Sequence, residues 1–492
     1  MVNRATVAEG IKDDVWVPSV CVTCFSCCHV LVHRVNGVVI KVEGNPESPH
    51  NGEKVCAKGN AAMMSLYDPN RLTHPVKRTN PEKGIGVDPK WVEITWDEAL
   101  NTVAERLKKI RKDNPKKLMA TTFDESATFF LRAWCAAFGT PHHSWVGYFC
   151  GNALHPIMYT TNGSFHSDFD VNHCNYLILM GNQMGFNLGL NPNIVTQKMA
   201  DARARGMKLV VVDPVCSYAA AKADEWVPIR PGTDAAFALG MVNILLNELG
   251  IYDREFIGKN TNGSYLVGPD GFFVRDVSTK KPLIWDSVEG KPKPFDADIK
   301  GPSIEGTYQV EGISVRPAFE LLKEHVKKYT PESVSQITTV PVEVIRRIAK
   351  EYGEAARIGS KIIIDGKELP YRPVAVNQYK GTNAHKHGTM SGISVQLLNI
   401  LMGGMYVVGS HQGVNIIGPD RSWEPLQTRD GLIQPARPIG TFHTADNIRR
   451  PETLGLPEIF PFSTNISTMV HLSVHNPEQF KLTFKPEMLL LA

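Results

Sequence analysis

Four cysteines near the start of the chain set the first constraint. They lie in the stretch CVTCFSCC and in a later CAKG. Two residues separate Cys21 from Cys24, three separate Cys24 from Cys28, and twenty-seven separate Cys28 from Cys56. Thiolates from one tight loop and one distant loop can hold a cubane iron–sulfur cluster. The same ligands can hold zinc. Buried free thiols are the plainest alternative. Five cysteines within thirty-six residues, out of nine in the chain, weigh against it. Between the two loops, Val30–Val35 and Gly37–Val42 flank an Asn36-Gly37 turn. That pattern predicts a β-hairpin that would bring the loops together. Cys27 and Cys28 are adjacent, so only one of them can face a cluster.

The 492 residues leave room for roughly two to four domains with substantial cores. Hydrophobic residues make up 42% and charged residues 21%, which is a globular composition. The 53 basic and 50 acidic residues nearly balance, and no long basic run occurs, which excludes a dedicated nucleic-acid binder. The first residues, MVNRATVAEGIKDDVWVPS, have no apolar core and no twin-arginine pair, so a secretory signal is not expected. Ile393–Val408 is apolar but short. It carries Gln396, Asn399, Gly403 and Gly404, and reads as a buried helix and glycine turn, not a membrane span. Clustered cysteines suit metal binding in a reducing, cytoplasmic compartment better than disulfides.

The rest of the chain reads as α/β. A helix is expected over 94–112, where Ala99, Leu100, Val103, Ala104, Leu107 and Ile110 recur at helical spacing. Lys117–Thr122 reads as a strand and Ala127–Phe138 as a helix ending at Gly139. The centre looks doubly wound. Tyr176–Met180 is an apolar strand ending at Gly181-Asn182. Ile194–Arg205 is a helix, and Met207–Val212 a strand ending at Asp213-Pro214. Trp226–Ile229 is a short strand ending at Pro231-Gly232-Thr233-Asp234, with a helix after it through Leu249. Such alternation predicts a parallel sheet covered on both faces, with ligands beyond the carboxyl ends of its strands. Asp213 and Asp234 can accept hydrogen bonds from ribose hydroxyls or from guanine N–H groups. They can equally be a turn and a helix start.

Further on, residues 263–315 read as inserted β-hairpins. Pro317–Tyr329 and Pro341–Gly353 read as helices, and Lys361–Asp365 and Pro373–Val376 as strands. Gln378–Gly388 (QYKGTNAHKHG) is a polar loop before a buried helix. His385 and His387 within it do not imply a joint metal site. Cys135, Cys174 and Cys216 read as core thiols, with Cys216 close to the Asp213 loop. The final KPEMLLLA reads as an apolar strand that must pair somewhere.

The cysteine spacing followed by Lys58-Gly59 resembles the N-terminal cluster domain of the molybdopterin oxidoreductases, the DMSO-reductase family. Tyr67-Asp68-Pro69-Asn70-Arg71-Leu72, Pro75, Arg78 and Trp91–Leu100 continue the resemblance in order, and it runs over nearly the whole chain. It implies a [4Fe-4S] cluster on Cys21, Cys24, Cys28 and Cys56, with Lys58 between cluster and pterin. It implies a molybdenum or tungsten ion on a bis-molybdopterin guanine dinucleotide. Gly181, Asn182, Asp213, Gly232 and Asp234 would meet the dinucleotide. Cys150 falls where the family places its metal ligand, with Ser144 as the alternative, and a thiolate suits such a metal. The Gln378–Gly388 loop would lie near pterin and substrate, which makes His387 and His155 candidates for proton handling.

The expected domains are 1–72 for the cluster, 73–146 with 346–492 as a discontinuous α/β domain, and 147–345 as a Rossmann-like pterin domain. Relatives continue into a C-terminal pterin-binding β-barrel. The resemblance therefore implies either a second chain that supplies it, the favoured reading, or a truncated relative, together with an iron–sulfur subunit that carries electrons onward from a small-molecule substrate. Two rival functions remain. One is a non-redox hydratase on the same scaffold, although Cys24 is followed by Phe25 and not by an acid. The other is a non-catalytic electron-transfer or scaffold subunit that has lost the pterin. Formate oxidation is disfavoured, because Cys150 is followed by Gly151-Asn152 and not by His-Gly.

Overall fold

The computed structural model describes residues 12–24, 26–122, 125–140, 143–145, 154–164, 166–186, 192–414, 425–427, 433–435 and 487–491. The chain divides into two compact units, 1–152 with 417–492, and 153–416.

The first unit opens with an antiparallel sheet of β1 (Asp14–Val20), β2 (His29–Val35) and β3 (Val38–Gly44), in that order. The predicted hairpin is β2–β3. Asn36 and Gly37 both take positive φ, 49° and 80°, as a tight two-residue turn requires. The added strand β1 was not predicted. The helix Trp96–Asp113 is capped by Thr95, whose side chain accepts from the Glu98 N–H. Its apolar stripe does not all turn inward. Ile110 is buried, while Leu100 and Val103 are exposed. The strand Leu118–Thr122 lies between His143–Trp145 and Met488–Leu491, parallel to both. The apolar strand near the end of the sequence therefore pairs inside this unit.

The second unit is built on a parallel sheet of β4 (Tyr176–Met180), β5 (Lys208–Val212), β6 (Glu225–Val227) and β7 (Val374–Gln378), in the order β6-β5-β4-β7. Alternating side chains divide between its two faces. Ile178, Met180, Val210, Val212, Val374 and Val376 pack with the helices Asp234–Asn243, Val342–Ala355 and Gly388–Leu401. Leu177, Leu179, Leu209, Val211 and Ala375 pack with Met199 and Ala202 of the helix Pro192–Ala204. Both faces are covered, which is why Tyr176–Met180, Leu209–Val212 and Val374–Val376 run apolar without alternation. β7 is an edge, and a side chain completes it. Asn399 accepts from the Val376 N–H and donates to the Val376 carbonyl, both at 2.8 Å. The hairpins expected in 263–315 are present, including Leu283–Asp286 with Lys291–Pro294.

This pairing corrects the expected domains. Residues 346–416 join 153–345, not 73–146, because β7 hydrogen-bonds β4 and the helix Gly388–Leu401 packs on the same core. Sequence distance hid the pairing, since nearly two hundred residues separate the two strands. Among the described residues no single helix is long and apolar enough to cross a membrane.

Candidate functional site

In the first unit, the turn between β1 and β2 carries three of the predicted ligands. It is closed by the Cys21 N–H donating to the Cys28 carbonyl at 2.8 Å. Cys27 takes φ +45° and is exposed, while Cys28 is 4% exposed. The chain thus turns Cys27 outward and Cys28 inward. Cys56 directly precedes the short helix Ala57–Asn60 and makes no side-chain cap. A side chain on Gly59 would meet Val55 at 2.3 Å and the Cys21 Sγ at 3.5 Å, so the start of that helix lies against the first loop. Lys58 is exposed.

A polar clamp joins the two loops. The buried Asn51 uses its whole amide. Its Oδ1 accepts from the His29 N–H and the Ser48 hydroxyl, at 2.9 and 2.8 Å. Its Nδ2 donates to the His29 and Lys54 carbonyls, at 3.2 and 2.8 Å. His29 follows Cys28 directly, and Lys54 lies two residues before Cys56. Sequence reading passed over Asn51, because a lone Asn before Gly reads as a turn residue.

Four thiols carried on two loops clamped side by side are the donor set that a four-iron cube takes, one thiolate at each iron.

In the second unit, the loops after β4, β5, β6 and β7 all leave from the carboxyl edge. Strand order reverses between β4 and β7, the position at which open α/β sheets generally bind ligands. Gly181, just past β4, sits against Gly381, just past β7. The Gly381 N–H donates to the Gly181 carbonyl at 3.0 Å. A Cβ on Gly381 would lie 2.4 Å from the Gly181 Cα. Gly181 therefore serves this backbone contact, and Gly381 is its unforeseen partner. Gly232 differs: φ is +75° and the space above it is open.

Asn182 is buried and donates to Asn377 at the end of β7, while its own Oδ1 accepts from the Met184 N–H. Gln378, fully buried, donates to the Gly392 carbonyl and accepts from Thr382. Asp213 is buried and accepts from the Val215 N–H at 3.1 Å, the turn role that its sequence allowed. Asp234 opens the helix Asp234–Asn243, but Thr233 makes no side-chain cap. Burial pushes the Asp234 carboxyl upward; its own N–H and nearby His385 oppose this, and Asp213 adds to it. The structure thus brings Asp213, Asp234 and His385 into one electrostatic neighbourhood. His385 is tied to the Thr382 carbonyl at 3.0 Å. The predicted His387 is exposed at the start of the next helix.

Cys150 lies outside the described residues, as do the side chains of Ser144 and His155. Cys135 and Cys174 are core thiols, as expected, and burial pushes both up to about 12. Cys216 corrects its expectation. It is exposed, on a surface loop with Val215 and Tyr218. Two other buried groups, His166 and His411, and the half-buried Asp168 were missed. His166 stands 5.2 Å from the Tyr379 ring, immediately past β7. Burial, aided by His166, drives His411 down to about 3. Burial raises Asp168 to about 6, against the Phe169 N–H and Lys198. Single histidines and aspartates carry no spacing signal, so only burial reveals them.

A family model for the molybdopterin oxidoreductase Fe4S4 domain matches residues 14–68. One for molybdopterin oxidoreductase matches residues 71–419. The chain is 32% identical over 412 residues to a sulfite dehydrogenase subunit of Allochromatium vinosum, aligning 77% of itself with 41% of that protein. It is 29% identical over 395 residues to ArrA, the molybdopterin-containing subunit of the arsenate respiratory reductase of Shewanella sp., aligning 79% with 40%. Among solved structures, acetylene hydratase from Pelobacter acetylenicus superposes with a TM-score of 0.55 at 25% identity, over 80% of this chain and 44% of that one. The chain spans about two fifths of the length of the curated relatives it matches.

Proposed function

Because the chain belongs to the molybdopterin oxidoreductase family, we propose that it is a redox subunit working on a small-molecule substrate. Its fold is the family's, with a β-rich Fe4S4 region and α/β units. Its cofactors are a [4Fe-4S] cluster and a molybdopterin carrying molybdenum or tungsten. When bound, these groups supply two-electron chemistry at the metal and one-electron transfer at the cluster.

The chain's own residues take the following parts in this reading. Cys21, Cys24, Cys28 and Cys56 hold the cluster, and Lys58 stands between it and the pterin. Asp213 and Asp234 accept hydrogen bonds from the guanine end of a bis-pterin guanine dinucleotide, and the open space over Gly232 admits its phosphates. Asn182 fixes the crevice wall through Asn377. Cys150 ligates the metal. His387 and His155 handle protons at the substrate. The relatives include proteins named as subunits. We accordingly propose partner chains, among them an iron–sulfur subunit, and a cytoplasmic location.

The observation that carries the proposal is that one chain matches the cluster domain and the pterin domain in order. A second reading, hydration without net redox change, is favoured by the likeness to acetylene hydratase. A third is a scaffold subunit without pterin. Anaerobic purification, elemental analysis and dye-linked redox assays test all three. The proposal expects about four iron atoms per chain, with molybdenum or tungsten and dye reduction. Iron with molybdenum or tungsten, and hydration alone, would select the hydratase. Iron without either heavier metal would select the scaffold, and zinc without iron would sink all three.

A further inference from the structure

We infer that His50 is a positioning residue for the iron–sulfur cluster, acting through the carbonyl of Ser26. The inference rests on the cluster reading above. His50 Nε2 lies 2.7 Å from the Ser26 carbonyl oxygen. A carbonyl only accepts, so Nε2 carries the proton and donates it. Ser26 sits between Cys24 and Cys28 and is 1% exposed. The bond therefore reaches the middle of the loop that carries three of the four thiolates.

The imidazole is itself held in place. Its ring packs against His29 at 5.6 Å. His29 Nδ1 is 3.0 Å from the Ser48 Oγ, and that hydroxyl already donates to Asn51. The Ser48 oxygen must then accept from His29. The His50 and Asn51 N–H groups share its remaining lone pair, at 3.2 and 3.3 Å. Asn51 fixes the backbone at both ends of the clamp. His50 is the arm that extends from it to the Ser26 peptide.

Removal of that donor takes this bond away from the buried Ser26 carbonyl, between two cluster ligands. Peptide dipoles and hydrogen bonds around the sulfurs set a cluster's potential and its hold on iron. His50 touches no thiolate, so its effect passes through Ser26.

The test uses the full chain with its cluster loaded anaerobically. The variants are His50→Ala, His50→Gln and, as a control, His33→Ala. His33 bonds Asp14 and stacks on Trp16 in the same sheet, away from the clamp. The readouts are the midpoint potential, the EPR spectrum of the reduced cluster, and the rate of iron loss to a chelator. His50→Ala is expected to shift the potential and spectrum and to lose iron about tenfold faster. His50→Gln keeps an N–H donor and should return toward wild type, and His33→Ala should match wild type. Wild-type behaviour of His50→Ala, or an equal shift in His33→Ala, overturns the inference. Should His50→Ala fail to fold, His50→Glu is set against His50→Gln at pH 8. They are close in shape, but only Gln can donate, so indistinguishable spectra overturn it too. Absence of iron from the wild type defeats the cluster reading itself, before any variant is compared.

Discussion

The cluster loops and the sheet crevice are held in different ways. Around the cysteines, a three-stranded sheet with exposed Val15, Val17, Val38 and Ile40 offers little apolar burial. Order there comes from side-chain hydrogen bonds, chiefly those of Asn51, Ser48 and His50. Around the crevice, backbone does the holding. Four parallel strands with both faces covered aim their loops, and Gly381 meets Gly181 directly. A small region with a thin core needs a bound group to complete it, whereas a doubly covered sheet does not.

The largest expected effect tests that contrast. Iron removal, or Cys56→Ser, should leave little of the roughly four iron atoms that a cube carries. It should also expose residues 12–72 to proteolysis and hydrogen exchange, while β4, β5 and β7 stay protected. If both regions open together, the contrast fails.

The next prediction probes backbone packing. Gly381→Ala places a methyl 2.4 Å from the Gly181 Cα. Overpacking of backbone on backbone should cost about 3 kcal/mol. Gly232→Ala meets only the left-handed penalty, about 1 kcal/mol, because the space over it is open. Denaturant midpoints of the two variants give the comparison. Equal losses would mean that the glycine contact is not what fixes the crevice.

The smallest effect is in pH. His411 titrates at 6.5 when unfolded and at about 3 when folded. Between those values the unfolded chain binds more protons, so stability falls as pH drops. The loss is about 2 kcal/mol by pH 5. Asp168 works the other way. Its carboxyl is raised from 3.8 to about 6, so the folded chain binds more protons between those values. Stability from this group falls by about 1 kcal/mol as pH rises from 5 to 7. His411→Gln should remove the acid-side loss and Asp168→Asn the neutral-side loss, as read by thermal melts across pH 5–8. Unchanged slopes would show that neither group is buried in solution.

Much of the architecture could be read directly. The Asn36-Gly37 turn announced the hairpin, and unbroken apolar runs at Tyr176–Met180 and Met207–Val212 announced parallel strands. Cysteine spacing and the glycine and aspartate loops marked the regions to examine. The misses share one cause. The β4–β7 pairing, the Gly181–Gly381 contact and the Asn399 bonds to Val376 each join residues far apart in the chain. His50, His166, His411 and Asp168 stood alone in the sequence and drew meaning only from what surrounds them.

The amino-acid order alone determined the local elements, the kinds of ligand atoms and the family likeness, because periodicity, turn chemistry and spacing act over short stretches. Tertiary structure decided which strands are neighbours, where the units divide, that Cys28 turns in while Cys27 turns out, and which lone polar groups are buried. Those outcomes depend on contacts between distant segments, and no local pattern encodes a contact of that kind.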